Sequence, residues 1–207
     1  EATDEECMAA AQLATVGVDL DTMKREGVVE LPDPNFQYGT PKFKTPSGKF
    51  EFSSEAVGAA GLNPVIGWIP RKVTPKDGEF AIVGGKQGIH SHTMTQNIAC
   101  LNAISREYHM ERLWISAQDA EDLGVQTGDT VEVASSEHVG QVEARVTQRL
   151  KPGVVFLPTH YGGDSPAQTR AYRYGIALTD FIPFDMEPGV GSMMSQEVAV
   201  TVKKVEA

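Results

Sequence analysis

Two short polar segments carry most of the residues whose types could do chemistry. The first, residues 84–97, reads Gly-Gly-Lys-Gln-Gly-Ile-His-Ser-His-Thr-Met-Thr-Gln-Asn and follows a strand-like apolar run. Its glycines let the backbone approach a ligand closely, and its amide and hydroxyl groups can bind phosphate or other polar groups. The segment matches neither the P-loop nor the GxGxxG pattern. His90 and His92 have no third metal ligand nearby in the sequence, so a polar ligand-binding loop or a structural turn is favoured over a metal site.

The second polar segment also begins where an apolar run ends. Residues 158–165 read Pro-Thr-His-Tyr-Gly-Gly-Asp-Ser. A strand exit combines rigid support with exposed side chains, so His160, Tyr161 and Gly162 suit a ligand site. A plain strand exit with a satisfied histidine is the equally weighted alternative. A catalytic serine is not indicated, because Ser165 lacks the GxSxG context.

A third stretch, residues 174–192, contributes Thr179 and Asp180. Their side chains could hydrogen-bond to the edge of a nucleobase or a ribose. The alternative is a surface turn with a solvated aspartate.

The elements that must position these segments are mostly short strands. Apolar residues alternate or cluster in six places, and turn-forming residues separate them. Ser116 with Asp119 predicts the start of a short helix. Many short strands with few helices predict a mainly β architecture and favour a barrel with small helical insertions. The predicted strands are Phe80–Val83, Leu113–Ile115, Val131–Val133, Val142–Val146, Val154–Leu157 and Val198–Val202.

Residues 1–78 form a different kind of segment, a helical and proline-rich lead-in, and residues 79–207 form the compact domain. Residues 4–26 favour helix, with Asp19 and Gly27 as caps of a helix at Leu20–Glu26. Seven prolines between residues 31 and 78 interrupt any long element. Lys49–Phe52 alternates and predicts a short strand.

Composition limits the function classes. The 207 residues carry 28 acidic against 18 basic side chains, a net charge of −10, which argues against bulk binding of nucleic acid or anionic membranes. No apolar run approaches the roughly 20 residues of a membrane helix. Cys7 and Cys100 stand alone without a CxxC, so the chain offers no ligand set for an iron–sulfur cluster or an all-cysteine zinc site. We expect Cys100, beside Leu101, to be buried.

The order of the motifs resembles one known family. Thr-Pro-Ser-Gly-Lys-Phe-Glu at residues 45–51 is followed by segment 84–97 and then by Leu-Trp-Ile-Ser-Ala-Gln-Asp-Ala-Glu-Asp-Leu-Gly-Val-Gln-Thr-Gly-Asp-Thr-Val-Glu-Val at residues 113–133. Lys-Pro-Gly-Val-Val at residues 151–155 and the exit after Pro158 complete the series. Over residues 79–203 the chain resembles the C-terminal dinucleotide-binding domain of molybdopterin oxidoreductases of the dimethyl sulfoxide reductase superfamily. Within it, the chain looks most like catalytic subunits of the polysulfide, thiosulfate and arsenate reductase type.

The resemblance implies a six-stranded double-psi β-barrel, the aspartate decarboxylase-like fold. It implies that this barrel closes over a bis(molybdopterin guanine dinucleotide) cofactor, with molybdenum or tungsten held by the rest of the parent enzyme. The implied roles are binding roles, and the resemblance assigns no catalytic residue or metal ligand to this chain. Lys86 stands where the family commonly has arginine. The residues implied to bind the cofactor are Lys86, His90, His92, Thr93, Thr95, Gln96, Asn97, His160, Tyr161, Gly162, Thr179 and Asp180.

The resemblance also implies partners. These are the remaining domains of the parent catalytic subunit and an iron–sulfur electron-transfer subunit, in either the periplasm or the cytoplasm. The opening Glu-Ala-Thr-Asp-Glu-Glu-Cys predicts a piece of a longer protein. Two alternatives are a free-standing molybdopterin-binding subunit of a split enzyme and a double-psi barrel that serves as a protein-interaction module. The His/Thr-rich segment favours cofactor binding over the interaction module.

Overall fold

A computed structural model describes residues 3–13, 16–30, 43, 45–65, 67–92, 94–187 and 191–206. Contacts divide the chain into two compact units, Glu1–Ile66 and Gly67–Ala207. Among the described residues, no helix is both long and apolar enough to cross a membrane.

The first unit contains short helices with side-chain caps. Helix α1 (Asp4–Cys7) begins with a capping box between Thr3 and Glu6 and continues into a π-helical segment, Met8–Leu13. Helix α2 (Leu20–Glu26) begins and ends at the residues predicted from the sequence. Asp19 accepts a hydrogen bond from the Thr22 amide, and Gly27 ends the helix with a φ of 73°. Helix α3 covers Glu55–Ala59.

The predicted strand at Lys49–Phe52 is wrong. These residues form bends and irregular backbone, and the described bridge in this region joins Ser53 to Val65. Phe50 and Phe52 are 63% and 83% exposed, and their rings contact each other edge to face at a centroid distance of 5.1 Å. Alternation alone did not produce a strand here, because both aromatic side chains lie largely outside any core.

The second unit contains a closed barrel of six strands, in the spatial order β1-β5-β2-β4-β3-β6. Two neighbouring pairs are parallel, β1 with β5 and β2 with β4, and the other four are antiparallel. This arrangement is a double-psi β-barrel, as predicted, and all six strands lie where alternation predicts them. The strands are β1 (Glu79–Gly85), β2 (Leu113–Ser116), β3 (Thr130–Ala134), β4 (Val139–Thr147), β5 (Val154–Pro158) and β6 (Ala199–Lys204).

The barrel interior is filled by alternate residues of the strands. Val131 and Val133 are fully buried while Thr130 at the start of the strand is exposed, so β3 turns one face to the core. Phe181 also packs fully buried into this core from a 3₁₀ helix, Leu178–Phe181. Each buried aliphatic or aromatic side chain stabilises the fold by about 1.5–3 kcal/mol relative to exposure.

Two further helices join the strands. Helix α4 (Ala99–Glu107) was not predicted, and helix α5 (Ala117–Asp122) begins at Ser116, as predicted. Ser116 accepts a hydrogen bond from the Asp119 amide at 3.1 Å. The expectation that Cys100 is buried is wrong, because this residue lies on the exposed side of α4.

Candidate functional site

The two polar segments begin side by side because the strands before them are parallel neighbours. β1 and β5 pair with Gly85 opposite Pro158, so both strands end at the same edge of the barrel. The amide and the hydroxyl of Thr159 both donate to the Gly85 carbonyl oxygen, at 3.0 and 3.1 Å. Lys86 and His160 therefore follow the two strand ends at one place, although they are far apart in sequence.

A cavity of about 420 Å³ opens at this edge. That volume lies in the range of small-molecule sites. Among the described lining residues, none carries a carboxylate and one carries an ammonium group. The cavity is lined by Gly85, Lys86, Thr159, His160, Tyr161, Gly163, Gln168, Ala177, Leu178 and Thr179.

Three basic side chains lie close together at this edge of the barrel, and two of them, Lys86 and His160, line the cavity. Nζ of Lys86 lies 3.5 Å from Nε2 of His92, and the rings of His92 and His160 lie 6.2 Å apart. Burial lowers the pKa of His160, and repulsion from the Lys86 ammonium group, and from His92 and His90 when they are protonated, lowers it further. Nε2 of His160 is buried and has no hydrogen-bond partner within the described part of the chain. Such an arrangement can bind an anion, which would supply both the missing partner and the opposite charge.

Backbone strain accompanies this cluster. His92 and His160 have positive φ angles of 52° and 79°, a region that residues other than glycine seldom adopt. Each such residue costs on the order of 1–2 kcal/mol, so the surrounding contacts hold both imidazoles in place against this strain.

A buried polar network supports the cavity from beneath. Nε2 of His90 lies 2.5 Å from the hydroxyl of Ser105 on α4, and that hydroxyl lies 3.3 Å from the hydroxyl of Tyr161. The hydroxyl of Tyr174 lies 3.0 Å from the Ser105 carbonyl oxygen and donates to the Glu111 carboxylate. Burial lowers the pKa of His90 and raises the pKa of both tyrosines, so all three side chains are neutral at pH 7.

Two predicted residues of the first segment hold loops together. Thr95 accepts a hydrogen bond from the Ser91 amide at 2.9 Å and lies 3.1 Å from Nδ1 of His90. Asn97 accepts from the amides of Arg170 and Ala171 at 2.7 and 3.2 Å, so it joins the first segment to the loop that follows the second.

Gln96 is buried, and its side-chain nitrogen has no partner among the described residues. The side-chain oxygen of Gln87 is also buried and unpartnered within the same part of the chain, while its nitrogen donates to the Met110 carbonyl at 2.6 Å. Buried polar atoms are normally hydrogen-bonded, so these amide atoms are available to a bound polar group.

Gly162 is explained by packing. Its φ is 77°, and a Cβ atom there would lie 2.2 Å from the amide nitrogen of Ala177. The glycine lets residues 176–177 pass against the strand exit, and its amide donates to the Tyr174 carbonyl at 2.7 Å.

The remaining predicted residues divide between the cavity and the surface. Thr179 lines the cavity from the 3₁₀ helix, whereas its exposed neighbour Asp180 is not among the described lining residues. Thr93 lies outside the described residues.

Sequence reasoning missed Thr159 and Gln168, which line the cavity. Gln168 sits in a stretch of small polar residues where no local pattern could single it out.

A separate cluster of His109, Glu111 and Glu143 places three potential metal-ligand atoms within 4.8 Å of one another. Arg112 donates two hydrogen bonds to one Glu143 oxygen, at 2.8 and 2.6 Å, and Glu111 accepts from Tyr174. The guanidinium group thus supplies a positive charge to the Glu143 carboxylate, and Glu111 is held by the Tyr174 hydroxyl.

Residues 80–191 match the family model described as Molydopterin dinucleotide binding domain. This match covers more than half of the chain and includes both polar segments. The chain belongs to the molybdopterin dinucleotide-binding domain family. The domains of this family bind the molybdopterin dinucleotide cofactor of molybdenum and tungsten oxidoreductases, so the predicted resemblance is confirmed.

Similar proteins are much longer than this molybdopterin dinucleotide-binding chain. The thiosulfate reductase molybdopterin-containing subunit PhsA of Salmonella typhimurium is 26% identical over 176 residues, which are 84% of this chain and 22% of PhsA. The F420-dependent formate dehydrogenase subunit alpha of Methanocaldococcus jannaschii is 34% identical over 91 residues, 44% of this chain and 13% of that protein. The chain therefore spans less than a quarter of the length of these relatives.

A solved structure shares the fold. Acetylene hydratase from Pelobacter acetylenicus superposes with a TM-score of 0.65 at 13% identity, over 96% of this chain and 29% of that one. At this identity the likeness concerns the fold alone.

The residues at the barrel edge fit part of such a cofactor. A dinucleotide carries a diphosphate, and the cavity offers Lys86 and the unpartnered Nε2 of His160, with His92 beside them and no opposing carboxylate among its described lining residues. The buried amide groups of Gln87 and Gln96 lie outside the described lining of this cavity.

Proposed function

We propose that the cavity at the ends of β1 and β5 binds the diphosphate and nucleotide part of a molybdopterin guanine dinucleotide. The clustering of Lys86, His92 and His160 beside a cavity without carboxylates among its described lining residues carries this proposal. Charge-assisted hydrogen bonds to phosphate oxygens are about twice as strong as neutral ones, so these three side chains would supply most of the attraction.

The other predicted residues have two roles in this proposal. Thr179 contacts the nucleotide from the 3₁₀ helix, and Gln96 hydrogen-bonds to a polar edge of the cofactor. Tyr161 forms the buried wall below the diphosphate, and Asp180 lies at the rim. The positioning residues, which shape the loops without touching the cofactor, are His90, Thr95, Asn97 and Gly162.

In the longer protein, the barrel closes the active site. We propose that the parent enzyme holds two molybdopterin guanine dinucleotides and one molybdenum or tungsten atom. When bound, this cofactor supplies two-electron or oxygen-atom transfer on a small substrate, while the present chain binds and orients it. The proposed partners are the remaining domains of the same catalytic subunit and an iron–sulfur subunit that exchanges electrons with it.

Calorimetric titration of the 207-residue chain with GDP-mannose tests the binding site. This probe carries guanosine and a diphosphate whose two ends are esterified, as in the cofactor. We expect saturable binding to the wild-type chain and a loss of at least about tenfold in affinity in Lys86→Glu, since a like charge replaces an attractive one.

Lys151→Glu is the matched control. Lys151 is exposed and precedes β5, at the opposite end of the strand from His160. The same change of charge there should leave the affinity within about twofold, because exposed charges more than a Debye length of about 8 Å away are largely screened. Absence of binding to the wild-type chain, or equal losses in both variants, would contradict the proposed site.

A further inference from the structure

His160 combines two features that are unfavourable without a ligand. Its Nε2 atom is buried and has no partner within the described residues, and its backbone has a φ of 79°. The ammonium group of Lys86 and the imidazole ring of His92 lie beside it. A site that leaves an imidazole unpaired beside an ammonium group is built for a ligand that accepts hydrogen bonds and carries negative charge.

The charges that act on His160 come from each element around it. Lys86 at the end of β1 and His92 and His90 in the following loop disfavour its protonated form, and burial acts in the same direction and more strongly. Tyr161 beside it is neutral, because burial raises the pKa of its phenol. On the last neighbouring element, the 3₁₀ helix, the side chains that line the cavity, Leu178 and Thr179, are both uncharged. Without an anion, His160 therefore has a pKa below its ordinary value and is neutral at pH 7.

A bound diphosphate reverses this balance. Two negative charges next to His160 compensate the ammonium charge of Lys86, and an opposite charge at about 4–6 Å raises the pKa of such a base by about 1–3 units. The protonated ring can also donate from Nε2, whereas phosphate oxygens are acceptors.

We propose that His160 binds the diphosphate bridge of the cofactor as an imidazolium ion, so that cofactor binding takes up a proton from solvent. This inference rests on the proposed function and deepens it, because it makes affinity for the dinucleotide depend on pH through one named side chain. The site then binds the cofactor more tightly as the pH falls from about 8 toward about 6.

The test is calorimetry of GDP-mannose binding in two buffers with different enthalpies of ionisation. The diphosphate of this probe is diesterified, so it lacks the titration near pH 6 of a terminal phosphate. The wild-type chain should take up roughly half a proton per ligand near pH 7, and its affinity should rise as the pH falls, by up to about tenfold per pH unit between the pKa of the complex and that of the free chain. His160→Asn should bind more weakly and show no proton uptake.

His109→Asn is the matched control for fold and strain. His109 has a φ of 47°, and asparagine tolerates such positive angles at both positions. This variant should keep the proton uptake of the wild-type chain. Binding without proton uptake in the wild-type chain, or uptake that persists in His160→Asn, overturns the inference and leaves the proposed function intact. Absence of GDP-mannose binding overturns both.

Discussion

Single residues at the barrel edge decide whether two segments can approach each other. Gly162 is the clearest case, because its missing Cβ is the space through which residues 176–177 pass. The same strand exit holds His160 in a positive-φ conformation, so the site is compact as well as strained. The need for glycine at residue 162 and the strained conformation of His160 both arise from the path of the backbone just after β5.

Gly162→Ala should therefore destabilise the chain strongly. A new Cβ would lie 2.2 Å from the Ala177 amide nitrogen, in addition to the cost of a φ of 77°. We expect a loss of about 3 kcal/mol in the free energy of unfolding, measured by urea denaturation.

Gly153→Ala provides the comparison. Gly153 has a φ of 79°, and no atom of the described residues lies within 4 Å of the position that its Cβ would take, so only the backbone cost applies. A loss of about 1 kcal/mol is expected there. If both substitutions cost the same, the packing explanation for Gly162 is incorrect.

The sequence could predict which residues are polar and where they stand, but not which of them share a cavity. Lys86 and His160 are predictable because they follow apolar runs that end in glycine or proline. Ser105 and Glu111 were missed, since a serine within a helix and one acid before a strand carry no local signal. Their burial depends on His90 and Tyr174, which reach them from other parts of the chain.

At the scale of elements, the two polar loops are joined by hydrogen bonds in which backbone amides of one loop donate to a side chain of the other. Asn97 accepts from the amides of Arg170 and Ala171 and so connects the loop after β1 to the loop after β5. Each such bond contributes about 0.5–1.5 kcal/mol, which is enough to order a loop segment.

Asn97→Ala should release the second loop without unfolding the barrel. We expect hydrogen exchange at the amides of Arg170 and Ala171 to accelerate by about tenfold or more, while the strand amides stay protected. Asn63→Ala is the control, because Asn63 accepts from the Val65 amide in the other unit. Unchanged exchange at residues 170–171 would show that Asn97 does not hold this loop.

The link between His90 and α4 makes stability depend on pH. Burial lowers the pKa of His90 in the folded chain, so the unfolded chain binds a proton more readily. Its stabilising contribution is present above the unfolded pKa of about 6.5 and is lost as the pH falls through the folded value.

Unfolding free energies between about pH 7.5 and pH 5 test this contribution. The wild-type chain should lose more stability over this range than His90→Gln, whose amide does not titrate. Burial also lowers the pKa of His160. The same pH profile measured on His160→Asn distinguishes the contribution of His160 from that of His90. Parallel pH profiles for the wild-type chain and His90→Gln would contradict the assignment.

The strands of the barrel were more predictable from the sequence than the helix and the loops that connect them. Alternating or clustered apolar residues identify all six strands, because all six pack into the same core. Helix α4 was missed, since its N-cap residue, Ile98, makes no side-chain capping hydrogen bond and the helix ends at Tyr108 without a glycine. The strand at Lys49–Phe52 was predicted wrongly for the opposite reason, because a correct alternation lacked a surface to pack against.

At the scale of the whole molecule, the chain forms two compact units, and the barrel lies within the second of them. We proposed residues 79–207 as the cofactor-binding domain, with residues 1–78 as its lead-in, whereas contacts group residues 67–207. Within that unit, Arg71 donates to the Gln196 carbonyl at 3.0 Å, and the Val73 amide donates to Glu197 at 3.0 Å. These bonds attach the residues just before β1 to the segment before β6.

A chain of residues 67–207 should therefore fold without the first unit. We expect a single cooperative urea transition whose free energy lies within about 1 kcal/mol of the corresponding transition in the full chain, because the barrel core is contained in this segment. A chain of residues 79–207, which lacks the bonds of Arg71 and Val73, should be less stable. Failure of the 67–207 chain to unfold cooperatively would contradict its independence.

The pairing of β1 with β5 also has a kinetic consequence. Thr159 and Gly85 are hydrogen-bonded across 74 positions of sequence, and β2, β3 and β4 lie between them along the chain. Contacts between residues so distant in sequence form slowly, because closing the long intervening loop costs conformational entropy before the new hydrogen bonds stabilise the chain. A nascent or partly folded chain consequently has two separate polar loops, and the site proposed above is not yet assembled. On the proposed function, binding of the dinucleotide would therefore report that barrel closure is complete.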